Sequence, residues 1–380
     1  RPREPRFASA YAELLRELGR GEEALAVVNP ETGVLRFGVG DASLNALWLA
    51  LEAEHGERER VYEARRERFG SEPGDVSNAV ALVEMLTTDE RYDEAEAVLD
   101  GLSEGGLAAT TEAQLRSQVA GRRGDVERGR EILRSAIGSS PEGERAVELH
   151  LALAQYEREY GTLESALAAY EAGRPHQDPE LRQVDRAIGD LMFSRGESLS
   201  RVQGEEAERL RAEAYAAAAE AYERVLESKP DDARVAKRTA ETLLRLDRPE
   251  EAERLLAGLP EEDDLESMLL RVSILAERGR VREARTLLDR AVERHANNPV
   301  VFVQRARFNA SEESLLPDVL NDLDRAVKLN PRQMEAWGLL YGLLASRGRV
   351  DEALARLSAA VEANPENEAL LLTYVNRLVE

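Results

Sequence analysis

Along nearly the whole chain, apolar residues recur at three- and four-residue steps, and each such stripe ends in a short polar turn. The stripe–turn–stripe pattern itself repeats about every 34 residues. It is cleanest between Pro331 and Pro365, where Trp337, Leu340, Gly348, Ala353, Leu357 and Ala360 punctuate the run MEAWGLLYGLLASRGRVDEALARLSAAVEANP. That spacing predicts two amphipathic helices folded back on one another at Gly348. The same glycine-to-small-residue step returns at Gly19/Ala24, Gly124/Gly129, Gly161/Ala166 and Gly279/Ala284, with Gly56/Val61 a weaker copy. A later pair, large then small, follows as Leu133/Ala136, Tyr170/Gly173, Leu288/Ala291, Leu323/Ala326 and Leu357/Ala360. The pattern throughout is helical, with no strand expected.

The physical logic of the repeat is local. The turn needs a residue that tolerates positive φ, and two helices in close contact need small side chains where they approach. Asn364, Asn330 and Ser228 stand beside Pro365, Pro331 and Pro230, where the proline forces the chain out of the helical region. One helix pair cannot bury its apolar stripe, so neighbouring pairs stack into a continuous core. In these residues the chain resembles the tetratricopeptide repeat family, in multi-repeat arrays of the bacterial type. The resemblance implies an all-α fold, an α-solenoid coiled as a right-handed superhelix of about ten helix-turn-helix units plus a C-terminal helix. The units begin near Pro5, Ala42, Val76, Thr110, Val147, Leu181, Ala233, Leu265, Val300 and Met334.

This reading makes residues 1–380 a single array, with an N-terminal half over 5–174, a C-terminal half over 181–380 and a final helix over 368–380. The sixth unit is longer than the others. Residues 181–229 are expected to form a long helical hairpin turning at Gly204, with a charged tip carrying Arg201, Glu205, Glu206, Arg209 and Arg211. Gly338 and Gly342 share one helical face, and close packing of the final helix is the expected reason for two helix-weakening glycines there.

Composition narrows the function classes. Hydrophobic residues make up 43% of the chain, charged residues 33% and aromatics only 5%, which suits Ala/Leu helix packing and argues against disorder. A net charge of −23 makes nucleic acid a poor partner, because phosphate recognition relies on Lys and Arg. Lysine occurs only at Lys229, Lys237 and Lys328, and the preference for arginine reads as a compositional habit. Cysteine is absent, which removes disulfides, thiolate metal sites and cysteine nucleophiles and is compatible with cytosolic and periplasmic arrays alike. No apolar run reaches the roughly 20 residues that a membrane-spanning helix needs. The chain opens on Arg1 rather than Met, so a truncated leader, anchor or further domain is the expectation at that end.

Candidate chemistry is sparse. His55, His150, His176 and His295 lie in different units with no histidine three or four residues away, so no helical metal pair is expected, and His150 reads as an interhelix packing residue. Gly33, Gly38 and Gly40 are followed by no lysine, and their segment reads as the linker between the first two units. The acidic run Glu261, Glu262, Asp263 and Asp264 reads as a solvated turn. No catalytic, cofactor-binding or metal-ligating residues are assigned, and no cofactor is expected.

What remains is a surface. In the resembled family the first helix of each unit lines a concave groove, which places Arg234, Lys237, Glu241 and Arg245 of the seventh unit there, with Arg238 beside them. The next two units add Leu269, Ser273, Val301, Gln304, Arg305 and Phe308. The family's carboxylate-clamp pattern is not matched, since Glu241 replaces its asparagine and Leu269 and Gln304 stand at the fifth positions of the following units. The expected function is a noncatalytic scaffold that binds a protein or peptide segment, with Arg234, Lys237, Arg245, Leu269, Gln304, Arg305 and Phe308 as the groove residues. The alternative is a repeat arm of a larger chain, such as a periplasmic polysaccharide-export or cell-envelope assembly protein, or the targeting arm of a glycosyltransferase.

Overall fold

The computed structural model describes residues 11–16, 19–28, 47–48, 50–51, 58–72, 75–105, 108–140, 142–258 and 264–379. Among these, all regular structure is helical and no strand occurs. The chain divides into two compact units, Arg1–Gln177 and Asp178–Glu380. The expected unit starts at Pro5 and Ala42, and the linker glycines Gly33, Gly38 and Gly40, lie outside the described residues.

In the first unit, α1 (Gly21–Val28) and α2 (Arg58–Ser71) precede three helix pairs. These are α3 (Val76–Thr88) with α4 (Tyr92–Gly105), α5 (Ala109–Arg123) with α6 (Val126–Ser139), and α7 (Glu144–Tyr160) with α8 (Leu163–Gly173). The second unit begins with α9 (Gln183–Leu199) and α10 (Glu205–Ser228), which at 17 and 24 residues are its longest helices among the described residues. It continues as α11 (Ala233–Arg245), α12 (Pro249–Ala257), α13 (Leu265–Glu277), α14 (Val281–Arg294), α15 (Pro299–Asn309), α16 (Leu316–Leu329), α17 (Met334–Ala345), α18 (Val350–Ala363) and α19 (Glu368–Val379). Helices α3, α11, α13 and α17 start on the residues that the 34-residue spacing marks.

One turn geometry recurs inside the pairs. The residue two places before the second helix has positive φ, at Gly19, Gly124, Gly279 and Gly348 between 70° and 94°. The amide after it closes back onto the first helix, as in Asp125 N–H to the Ala120 carbonyl at 2.8 Å and Arg349 N–H to the Leu344 carbonyl at 2.9 Å. Glu90 and Asp247 adopt the same conformation, at 59° and 56°, and Arg91 and Arg248 make the same closing bond. Those two turns carry no glycine, so the glycine anchor passes over them. Gly161 departs in the other sense, with φ of −117°. Five residues after the turn position, Ala24, Ala95, Ala252, Ala284 and Ala353 are fully buried, as the close approach of two helices requires.

The core of each unit is divided into clusters strung along its helices rather than gathered at one centre. In the second unit a cluster runs from Met268 through Val301, Leu323, Trp337 and Leu357 to Leu370, and the Trp337 indole donates to the Pro331 carbonyl at 3.1 Å. Aromatic rings seat in glycine notches elsewhere. Tyr215 lies against Gly196 and Tyr222 against Gly189, so α9 and α10 approach where side chains are missing. The expectation for Gly338 and Gly342 is corrected: a Cβ added at either would meet nothing within 4 Å, and both are exposed. The final helix instead meets α17 at its rim, with the Arg377 guanidinium 4.9 Å above the Tyr341 ring.

Candidate functional site

A cavity of about 860 Å³ lies in the second unit and is built on α11. Asp232 fixes the start of this helix by accepting from the Val235 amide at 3.1 Å. Burial alone would raise the Asp232 carboxyl, but the Val235 N–H and the Arg186 guanidinium outweigh it and hold it below its ordinary range. Arg234, Lys237, Arg238, Glu241 and Arg245 then recur at helical steps along one face and line the cavity. Arg186, Asp190 and Tyr222, from α9 and α10, form one side. Leu269, Leu270, Ser273 and Glu266 of α13, with Gln304 of α15, form the other.

The electrostatics of this lining oppose those of the chain. Five cations (Arg186, Arg234, Lys237, Arg238 and Arg245) face three acids (Asp190, Glu241 and Glu266) in a protein of net charge −23. Most of the cations are held by fixed partners. Arg186 bonds Asp232 at 2.6 Å, Lys237 reaches Asp264 at 3.4 Å, and Arg238 bonds Glu241 at 2.8 Å while lying 4.7 Å over the Phe193 ring. Arg245 donates to Glu197 at 2.9 Å, and Glu197 also accepts from the Tyr215 hydroxyl at 2.6 Å. The Tyr215 bond and then the arginine keep Glu197 below the usual carboxylate range, against a smaller opposing effect of burial. Tyr215 in turn is pushed up to about 12 by burial and by Glu197. Tyr222 donates to Asp190 at 2.7 Å, and burial raises its hydroxyl too. Arg234, exposed on the first turn of α11, makes no ion pair among the described residues.

Of the residues read from the sequence, the cavity therefore brings together Arg234, Lys237, Arg245, Leu269 and Gln304. Arg305 and Phe308 do not line it. Arg305 turns to the neighbouring helices, with two bonds to Asp322 at 2.8 and 2.7 Å and one to Asp289 at 2.9 Å. Phe308 packs against the cluster of Val272, Ala284 and Leu288, and Val301 is fully buried. For Arg305 the reason is rotational, since one residue past Gln304 it faces α14 and α16; Phe308 shares the face of Gln304 one turn further on, where it packs on α13 and α14 beyond the cavity. Arg186, Asp190 and Tyr222 are additions. Arg186, Asp190, Phe193 and Glu197 stand at i, i+4, i+7 and i+11, a single stripe on α9 that helical periodicity alone could have identified.

Two histidines expected to be separate also meet. His150 on α7 stacks on His176, centroids 5.9 Å apart and planes 6° from parallel. Burial first, and then the neighbouring His176, lower the His150 pKa. Among the described residues no cluster of three or more His, Asp or Glu side chains could hold a metal ion. None of their helices is long and apolar enough to cross a membrane. What the α11 cavity offers chemically is recognition: guanidinium groups for charge-assisted bonds beside an apolar wall of Leu269 and Leu270.

Two tetratricopeptide repeat profiles match the chain, one over residues 209–272 and the other over residues 115–180 and 320–371. No curated protein sequence matches it. Among solved structures, Naa15/Naa10 bound to HypK-THB shares its fold over 97% of this chain and 68% of that one, at 14% identity and a TM-score of 0.50. A tetratricopeptide repeat protein from Parabacteroides merdae matches 72% of this chain and 99% of its own at 14% identity, with a TM-score of 0.48. YrrB, a tetratricopeptide repeat protein with an unusual peptide-binding site, matches 55% of this chain and 96% of its own at 20% identity, with a TM-score of 0.38. With its helix pairs, its recurring positive-φ turns and buried alanines, and these matches on both sides of residue 178, the chain belongs to the tetratricopeptide repeat family.

Proposed function

We propose that the chain is a noncatalytic interaction scaffold whose second unit holds an acidic, leucine-bearing segment of a partner protein in the α11 cavity. The observation that carries this reading is the row of cations along α11 in a strongly acidic chain, of which Arg234 stands exposed with no ion pair among the described residues. An anionic segment is repelled by most of this surface and attracted here, which favours one docking place and speeds encounter. Charge alone is a weak anchor, since exposed ion pairs contribute only about 0–1 kcal/mol each. Burying one leucine of the segment against Leu269 and Leu270 adds about 1.5–3 kcal/mol, so the apolar wall supplies affinity while the cations set position and direction. Arg234 is the first contact for the partner's carboxylate, because the other cations of α11 already hold carboxylates of this chain.

An array of immobilised peptides covering acidic, basic and neutral sequences with and without leucine tests the reading. The wild-type chain should be retained by peptides that combine Glu or Asp with Leu, and an Arg234→Glu/Lys237→Glu variant should lose those positions. Retention on basic peptides, or an unchanged pattern for the variant, would remove the α11 cavity from consideration.

A further inference from the structure

One cation of the α11 cavity has a setting unlike the others. Phe193 of α9 is buried, with Tyr215 packed edge-on against it, ring centroids 5.7 Å apart and planes at 61°. The Arg238 guanidinium lies over the Phe193 ring, 4.7 Å from its centroid. Arg238 lines the cavity and Phe193 does not, so the guanidinium stands between the ring and the open space. Its side chain is 45% exposed, and among the described residues its ion pair is with Glu241, at 2.8 Å. The ring beneath and the carboxylate beside it hold the guanidinium in place, which removes part of the rotamer entropy that a free surface arginine would lose on binding.

The neighbours of Arg238 select what can meet its open side. A partner carboxylate that approaches Arg238 also approaches Glu241, whose second oxygen lies 4.0 Å from Arg245, so repulsion offsets the attraction. A partner lysine or arginine meets the other cations of the same helix, Arg234, Lys237 and Arg245. An aliphatic side chain buries area there but gains nothing from the charge. An aromatic ring is uncharged, and its π face is attracted to the cation; guanidinium is hydrated weakly enough to stack on it.

We propose that Arg238 and Phe193 form a subsite for an aromatic side chain of the bound segment, with the guanidinium sandwiched between the partner's ring and Phe193. The proposal rests on the reading that the cavity holds an acidic segment, and it adds an aromatic residue to what that segment carries. Arg238 is the residue that sets this specificity. Phe193, which the partner does not touch, is a positioning residue that acts through Arg238.

Three labelled peptides, titrated with the 380-residue chain by fluorescence anisotropy, test the subsite: one of alternating Glu and Leu, one with its central leucine replaced by phenylalanine, and one with cyclohexylalanine there instead. Cyclohexylalanine has the carbon skeleton of phenylalanine without the π face and is the more apolar of the two, so an apolar contact alone would rank it equal or better. The phenylalanine peptide should bind about two- to fivefold tighter than the cyclohexylalanine peptide, the range of a partly exposed cation–π contact. Arg238→Gln, at an exposed position, should keep wild-type circular dichroism and bring that ratio to about one or below. Both peptides carry the same charge, so the ratio does not register the general loss of a cation. Phenylalanine that binds no tighter than cyclohexylalanine, while the Glu–Leu peptide binds, would overturn the subsite and leave the acidic-segment reading standing. A ratio unchanged in Arg238→Gln would overturn the subsite too, and no binding by any of the three peptides would overturn it together with the reading on which it rests.

Discussion

Gly196→Ala is a one-methyl test of how α9 and α10 support the groove. A Cβ built at Gly196 would lie 2.5 Å from Cε1 of Tyr215 and 2.7 Å from its Cδ1 and Cζ. The ring is 1% exposed, so it has no solvent into which to retreat. Two effects of opposite sign compete. Alanine improves helix propensity over glycine by about 1 kcal/mol. Overpacking a closed core costs about 1–3 kcal/mol, and displacing Tyr215 also weakens its bond to Glu197, worth about 1 kcal/mol or more when the acceptor is charged. The clash wins, for a net loss of about 1–3 kcal/mol from these terms.

Urea unfolding followed by circular dichroism should show the second unit's transition at lower denaturant. Gly338→Ala is the matched control. It is also a mid-helix glycine, but its added methyl meets nothing, so only the propensity gain remains and stability should be unchanged or higher by up to about 1 kcal/mol. In a Tyr215→Leu background the penalty of Gly196→Ala should vanish, because the ring that it strikes is gone. Wild-type stability for Gly196→Ala, or the same penalty with and without the Tyr215 ring, would refute the notch.

Other outcomes follow from the same structure. Arg305→Ala should cost stability, about 3 kcal/mol or more, because it strands the buried Asp322 carboxylate, while leaving peptide capture by the groove intact; denaturation and binding measured on the one variant check both halves. Asp247→Gly should raise the unfolding midpoint by about 0.5–1 kcal/mol in stability, since it relieves a side chain held at φ of 56°. The first unit should lose stability as pH falls through the ordinary histidine range: His150 has a folded pKa below its unfolded value, so the unfolded chain takes up the proton first, and His150→Leu should flatten that part of the profile.

The helical repeat was legible because it is written in local physics. Gly348 at positive φ, Ala353 at the closest approach and Pro365 past the helix end each report a constraint that acts within a few residues. Glu90 and Asp247 escaped the same reading because a non-glycine residue occupies the left-handed turn, where backbone geometry and not residue type carries the signal. The site was legible only in part. Lys237 and Arg245 follow from the face of α11, but Arg305 carries the same charge and was drawn to Asp322 and Asp289, carboxylates 17 and 16 residues away in sequence. Tyr222 and the His150–His176 stack depend on which helices meet, and no single stripe encodes that. Gly338 and Gly342 misled for the converse reason: two glycines four apart in a helix are a cue for close packing, and here they stay open.

Capture of an acidic segment by the α11 cavity, read through Arg234 and its neighbours and held through Leu269, is open to direct measurement. Fluorescence anisotropy with a labelled peptide of alternating Glu and Leu, titrated with wild-type, Arg234→Glu and Leu269→Ala chains at low and high salt, tests it most directly. Wild-type binding should weaken as salt rises, Arg234→Glu should abolish the salt-sensitive part, and Leu269→Ala should lower affinity about equally at both salts. A peptide with Lys in place of Glu that binds as well, or an Arg234→Glu chain that binds like the wild type at low salt, would contradict the account.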